Sequence, residues 1–251
     1  MHLLLDFGNT RLKWAITSGA LSEGSRLSQK GAVSYEDASI SAWTRALQSV
    51  SIDEVLFASV VGAELEAKVF MQLSALSSMP KRFQVTGRAG DLHNLYATPQ
   101  TLGVDRWAAA IGAWGLFKQP CLVVSAGTAT TIDLIDTSRL GAPCYRGGLI
   151  MPGLDLMLKS LHERTARLPA AKGCYCAAPA VADNTDDAIA SGAIDATCGA
   201  IERMAQRLDE NTPWLITGGN AEQLQAVLGA NARVVEALTL EGLAIHSLNH
   251  H

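Results

Sequence analysis

The feature that most narrows what this chain can become is a pattern that occurs twice. Leu3-Leu4-Leu5-Asp6-Phe7-Gly8-Asn9 is matched in kind, 119 positions later, by Leu122-Val123-Val124-Ser125-Ala126-Gly127-Thr128. Each is an apolar run, a polar residue, one spacer, a glycine and a small polar residue, and each is followed by a second apolar stretch (12–16 and 131–135). Short apolar runs bounded by such residues read as buried strands. The Gly-containing bends read as hairpin turns, where Gly and Asn tolerate positive φ. A strand–turn–strand unit used twice predicts two similar lobes facing each other.

The other patterns alternate between strand and helix. Residues 54–60 and 82–85 read as strands. Leu65, Val69, Leu73 and Leu76 share a helical face over 63–77. Leu102-Gly103-Val104-Asp105 opens a helix with Trp107, Ile111 and Trp114 on one face, a stripe that reads as core rather than a nucleobase platform. Lys118-Gln119-Pro120 ends it and divides the chain into lobes 1–117 and 118–251. Leu154, Leu158 and Leu161 mark another helix. Ile194, Ile201, Met204 and Leu208 mark a long one, capped by Asn184 or Thr185. Residues 214–217 read as a strand ending in Gly218-Gly219-Asn220, and 221–228 as a helix stopped by Gly229. The class is α/β.

Composition excludes several functions. With 251 residues, 48% apolar and 18% charged, the chain can bury a large core, and it is not disordered, coiled-coil or collagen-like. Twenty basic against 24 acidic residues leave a net charge of −4 and no basic run, so no nucleic-acid partner is expected. The longest mostly apolar run, 107–117, is broken by Gly112 and Gly115 and falls short of the roughly 20 residues a membrane span needs. The start has no basic segment and meets Asp6 early, unlike a signal peptide. Five cysteines at uneven spacing predict reduced thiols in the cytoplasm; Cys174 and Cys176 have no second pair to complete a zinc site. His93 and His162 have no partner at ligand spacing, Asp155 and Glu163 read as solvated helix charges, and His250 and His251 as a flexible tail.

Chemistry concentrates at the two bends. A glycine at a bend's apex exposes backbone N–H groups that suit phosphate oxygens, and two such bends would grip a polyphosphate from two sides. Asp6, the one charge in its apolar run, would repel those phosphates unless a cation lay between, so it implies Mg²⁺ held mostly through water. Lys13 on the second strand could add a point charge. The alternative is that Gly8 and Gly127 merely make hairpins.

These residues also carry a resemblance. Asp6-Phe7-Gly8-Asn9-Thr10-Arg11-Leu12-Lys13 resembles the phosphate-binding motif that opens type III pantothenate kinases, members of the actin-like and sugar-kinase ATPase superfamily. Gly103-Val104-Asp105-Arg106-Trp107 is similar to that family's substrate motif, and Gly127-Thr128-Ala129-Thr130-Thr131-Ile132-Asp133 to its second phosphate motif. Gly147-Gly148-Leu149-Ile150-Met151-Pro152-Gly153, Arg164-Thr165-Ala166-Arg167-Leu168-Pro169, Asn184-Thr185 with Ala188, Ile189 and Gly192, and Thr217-Gly218-Gly219-Asn220 follow in the family's order.

The resemblance implies two RNase H-like, actin-like lobes, each a mixed sheet flanked by helices, with the active site in the cleft between them. It implies ATP-dependent phosphorylation of pantothenate to 4′-phosphopantothenate, the first step of coenzyme A biosynthesis, in a homodimer whose substrate pocket the partner chain completes. Asp105 would be the catalytic carboxylate, at a helix N-terminus; an N-cap or a salt bridge with Arg106 is the alternative reading. Arg106 would fork to the substrate carboxylate. Tyr96, Gly103, Val104 and Thr185 would contact substrate, Thr185 from the other subunit, and Thr128 would meet the ATP phosphates through its backbone and hydroxyl. Where the family has an aspartate that binds potassium or ammonium, this chain has Ser125, so little dependence on either ion is expected. Two other readings stand beside this one. Another small-molecule kinase or phosphatase of the superfamily would not share the motif at 103–107, which general sugar kinases lack, and a non-catalytic regulator would have no use for Asp6 and Asp105.

Overall fold

The computed structural model describes residues 1–18, 27–73, 79–165, 168 and 172–248. The chain divides into two packed units. The first comprises Met1–Gln119, Leu140–Tyr145 and Ala237–His251, and the second Pro120–Arg139 and Arg146–Glu236. The expected division is a single cut after 117; the units are instead discontinuous, because residues 140–145 and the last helix belong to the first unit.

In chain order the first unit contains β1 (His2–Phe7), β2 (Leu12–Thr17), β3 (Gln29–Val33), α1 (Asp37–Leu47), β4 (Glu54–Ser59), α2 (Ala63–Gln72), β5 (Lys81–Arg82), β6 (Arg88–Ala89), β7 (Leu92–Asn94) and α3 (Val104–Phe117). Its main sheet has the order β3-β2-β1-β4-β5. β1 lies at the centre, antiparallel to β2 and parallel to β4. A central strand is covered on both faces, which is why Leu3, Leu4, Leu5 and Phe7 have no exposed surface, in a run that Asp6 alone interrupts. Alternation sends Leu3, Leu5 and Phe7 to one face, against Ile40, Trp43 and Leu47 of α1 and Val69 of α2. Leu4 and Asp6 point to the opposite face.

The second unit holds β8 (Cys121–Ala126), β9 (Ala129–Asp136), most of β10 (Cys144–Pro152), α4 (Leu154–Arg164), α5 (Thr185–Ala205), β11 (Trp214–Thr217), α6 (Ala221–Leu228) and β12 (Ala232–Val234). Its strands run β12-β11-β8-β9-β10. β8 is antiparallel to β9 and parallel to β11. Counted from each unit's own first strand, both five-strand runs read 3-2-1-4-5, so the duplicated sequence pattern is a duplicated topology. The core joins Leu122, Val124, Ile132 and Leu134 to Ile194, Ile201 and Met204 of α5 and Leu224 of α6. α5 starts where the side chain of Asn184 accepts the Asp187 N–H, and α6 stops at Gly229, whose φ is +72°.

α7 (Leu238–Leu248) completes the first unit. It lies so close to α3 that a Cβ at Gly112 would overlap the Leu238 carbonyl, and one at Gly242 would overlap that of Ala108. The predicted helix over 63–77 ends at Gln72, and 74–78 lie outside the described residues, as do His250, His251 and part of the 164–169 motif. Of the strand expected at 82–85, only Arg82 falls within β5; the buried Phe83 follows it, its N–H donating to Phe57 O of β4 at 2.7 Å. No helix among the described residues is long and apolar enough to cross a membrane.

Candidate active site

The first bend joins β1 to β2, and its register sets Asp6 directly opposite Lys13. Asp6 is only 4% exposed, and the Lys13 ammonium lies 3.7 Å from its carboxylate. Burial pushes the Asp6 carboxyl up to about 6; Lys13 pulls against this, and the charge of Asp105 adds to it. Asn9, Thr10 and Arg11 are exposed at the tip, whereas the side chains of Phe7 and Leu12 are fully buried and leave only their backbone to a ligand. Phe7 packs its ring centroid 5.9 Å from Phe57 and 5.5 Å from Phe70.

The bend is closed by hydrogen bonds rather than by left-handed backbone. The Gly8 N–H donates to Asp6 O at 3.1 Å, the Val60 N–H to Phe7 O at 3.1 Å, and the Tyr35 hydroxyl to Gly8 O at 2.7 Å. The expectation that these bends need positive φ is corrected: Gly8, Asn9 and Gly127 all have ordinary φ. A Cβ at Gly8 would lie 3.3 Å from Arg11 O, and one at Gly127 3.7 Å from Ala129 O. The small size of these glycines leaves the backbone open to a ligand.

Asp105 occupies the first turn of α3, where the helix dipole favours a carboxylate. It is not the N-cap; that position is Gly103, whose missing Cβ makes room for Asp105 Oδ1, which a Cβ would approach to 2.6 Å. Asp105 Oδ1 accepts the main-chain N–H of Arg106 at 2.9 Å. Asp6 faces the side of the sheet on which α3 packs, which is how two carboxylates 99 positions apart come to feel each other. Arg106 is 5% exposed, with its guanidinium carbon 5.8 Å from the centre of the Tyr96 ring. Tyr96 is half-buried beside Tyr145, its N–H held by Asn94 Oδ1 at 3.0 Å. The structure therefore gathers Asp6, Lys13 and Asp105 in one group, and Tyr96 with Arg106 in an adjoining one. Trp107 is fully buried, 5.8 Å from Tyr145, and Trp114 nearly so.

The second bend, between β8 and β9, is built from backbone. The Gly127 N–H donates to Ala129 O, and the Gly153 N–H to Thr128 O at 3.0 Å. A Cβ on Gly153 would overlap Gly127 O, and one on Gly218, whose φ is +106°, would overlap Ala126 O. Gly153 is the N-cap of α4, and Gly218 precedes Asn220, the N-cap of α6. Two helix N-termini therefore converge on one exposed hairpin tip, a combination suited to anions. Sequence reading passed over these steric constraints; the signal was the recurrence of Gly after β10 and β11. Ser125 stands opposite Thr131, whose buried hydroxyl has no hydrogen-bond partner among the described residues. Thr185 is exposed at the first position of α5.

No group of three or more His, Cys, Asp or Glu among the described residues could hold a metal. Asp6 still fits Mg²⁺ as a single oxygen ligand, since its buried charge is incompletely matched by Lys13 and is opposed by Asp105. The donors at Ser125 and Thr131 are neutral and do not fit a site built around a carboxylate.

The type III pantothenate kinase family profile matches residues 2–207. A type III pantothenate kinase of Dechloromonas aromatica is 41% identical over 245 residues, 97% of each chain, and one of Aromatoleum aromaticum is 38% identical over 98% of this chain and 97% of its own. Among solved structures, a Campylobacter jejuni protein provisionally named a conserved Baf family transcriptional activator superposes with a TM-score of 0.60 at 20% identity, over 99% of this chain and 98% of that one. An activator of 2-hydroxyisocaproyl-CoA dehydratase from Clostridium difficile, with bound ADPNP, gives 0.53 at 10% identity over 99% and 94%. Both likenesses concern the fold alone. On the sequence matches, the chain belongs to the type III pantothenate kinase family.

Proposed function

We propose that this chain transfers the γ-phosphoryl group of ATP to the primary hydroxyl of pantothenate, giving 4′-phosphopantothenate and ADP. Within its family membership, the observation that carries this reading is the grouping of Asp105, on a helix N-terminus, with buried Asp6 and with the Arg106–Tyr96 pair. Asp6, Phe7, Gly8, Asn9, Thr10, Arg11, Leu12 and Lys13 are the proposed first phosphate segment, with Phe7 and Leu12 acting through their backbone, and Gly127 and Thr128 the second. Mg²⁺ held at Asp6 through water would neutralise phosphate charge. Lys13 adds a fixed positive charge.

An alcohol is far less acidic than a carboxylic acid, whose ordinary pKa is about 3.9, so Asp105 does not strip the hydroxyl in advance. Its carboxylate accepts the hydroxyl's hydrogen bond and aims the oxygen in line with the γ-phosphorus. As the new O–P bond forms and the bond to ADP breaks, the proton passes to Asp105. In a loose transition state, alignment and charge neutralisation supply most of the acceleration. Arg106 offers a desolvated fork for the pantothenate carboxylate, with Tyr96 flanking it and Gly103 and Val104 shaping the wall. Thr185 is proposed to act on the substrate of a partner chain in a homodimer.

The test is pantothenate-dependent ADP release by purified protein with ATP and Mg²⁺. Asp105→Asn is expected to lower kcat by about 10²–10⁴ while leaving ADP binding and Tm nearly unchanged. A variant at the wild-type rate overturns the role of Asp105; ADP release indifferent to pantothenate overturns the substrate.

A further inference from the structure

In the first bend, one peptide is held by a side chain from outside the hairpin. The peptide before Gly8 is tied at both ends, through Phe7 O to the Val60 N–H and through the Gly8 N–H to Asp6 O. In the next peptide, from Gly8 to Asn9, the carbonyl accepts the Tyr35 hydroxyl at 2.7 Å. Glycine places little steric restraint on rotation of that peptide. In a trans peptide the C=O and N–H point in opposite directions. A donor that pins the Gly8 carbonyl therefore sends the Asn9 N–H the other way.

We propose that Tyr35 is a positioning residue for the first phosphate bend: its hydroxyl, donated to the Gly8 carbonyl, holds the Gly8–Asn9 peptide so that the Asn9 N–H is presented to the phosphates of the nucleotide. This rests on the reading of residues 6–13 as a phosphate segment.

Three features of Tyr35 suit the task. It is anchored from both neighbouring helices: its carbonyl accepts Lys68 Nζ of α2 at 3.1 Å, and the same ammonium pairs with Asp37, the first residue of α1, at 2.8 Å. Its ring packs against the apolar core of the first unit, so the hydroxyl sits on a rigid post. Burial, and behind it the negative charge of Asp6, push its ionisation well above the usual tyrosine range, so it remains a donor throughout any working pH. A hydrogen bond accepted by the carbonyl also polarises the amide and strengthens donation from its N–H. In the second bend it is the following carbonyl, that of Thr128, which is held, and by backbone: the Gly153 N–H donates to it.

Tyr35→Phe removes the hydroxyl and keeps the ring. The dissociation constant for ADP, measured by calorimetric titration without pantothenate, is expected to rise about five- to tenfold, the effect of one lost hydrogen bond. The KM for ATP should rise in parallel, with the KM for pantothenate unchanged and Tm within about 2 °C. Tyr35→Leu separates ring from hydroxyl and should weaken ADP binding to at least the same degree. If Phe binds ADP as wild type does and only Leu weakens it, ring packing accounts for the residue and the proposal falls. It falls as well if weaker binding in Phe comes with an equal loss of affinity for pantothenate. A wild-type protein that binds ADP but leaves pantothenate unphosphorylated would sink the proposed function while leaving the Tyr35 comparison to be read on ADP alone.

Discussion

The bends at Gly8 and Gly127 occupy the same place in the same strand order, yet they are built from different materials. The first sets charge against charge across its ladder, Asp6 opposite Lys13, and its tip is held by a side chain, Tyr35. The second sets hydroxyl against hydroxyl, Ser125 opposite Thr131, and its tip is held by backbone that only glycines at 153 and 218 let so close. Topology has been duplicated and chemistry has not. One bend depends on electrostatics and the other on the absence of side chains, so mutations of the same kind should fail in opposite ways.

The largest contrast is expected from adding a single methyl group to each. Gly218→Ala forces a Cβ into the Ala126 backbone and places alanine at a φ of +106°. Both faults require the main chain to move, for a loss on the order of 3–5 kcal/mol and a fall in Tm of about 6–15 °C. Gly8→Ala meets only Arg11 O at 3.3 Å, at ordinary φ, so Tm should stay within about 3 °C while the KM for ATP rises, because the added methyl stands where a phosphate would approach. Thermal melts and ATP kinetics of the two variants check this. Equal losses of Tm would mean that the bends are held alike.

A smaller difference should appear in the pH dependence of the ligand-free protein. Asp6 has a folded-state pKa of about 6 against an ordinary 3.8. The folded state therefore binds its proton more tightly than the unfolded one, and this group's contribution to stability falls as pH rises from about 4 to 6, then levels off. A rise of that size corresponds to roughly 3 kcal/mol. Asp6→Asn should accordingly raise Tm at pH 8, with the gain vanishing near pH 4, even as it impairs phosphoryl transfer. Ser125→Ala at the corresponding position should show no such trend. A gain from Asp6→Asn that was the same at both pH values would remove burial of the charge as its cause.

Sequence showed the hairpins, the α/β class and the order of motifs because those depend on local signals: apolar runs, glycine punctuation and helical spacing. α1 was missed although Ile40, Trp43 and Leu47 recur at helical intervals, since no strong start signal drew attention to 37–47. α7 was missed because it is apolar on nearly every side, with Leu238, Leu240, Leu243 and Ala244 buried, so its periodicity is weak. β6, β7 and β12 run two or three residues and owe their form to their neighbours. Within the site, acid and base identities were legible, but partners were not. Nothing local links Tyr35 to Gly8, or Gly218 to Ala126; those contacts exist only once distant strands are side by side.

The smallest expected effect tests what Ser125 means. A potassium ion gives up a strongly held hydration shell only where protein oxygens replace it, and a carboxylate contributes attraction that a neutral hydroxyl lacks. With Ser125 and Thr131 as the facing pair, exchanging potassium for sodium or tetramethylammonium at constant ionic strength should change pantothenate-dependent turnover less than twofold. Ser125→Asp restores an acid at the position that matches Asp6 and should make turnover respond to potassium. A wild-type enzyme stimulated tenfold by potassium would instead mean that backbone carbonyls suffice to hold the ion. The two bends would then differ less in charge than their side chains imply, and the electrostatic asymmetry drawn between them would have to be carried by Asp6 and Lys13 alone.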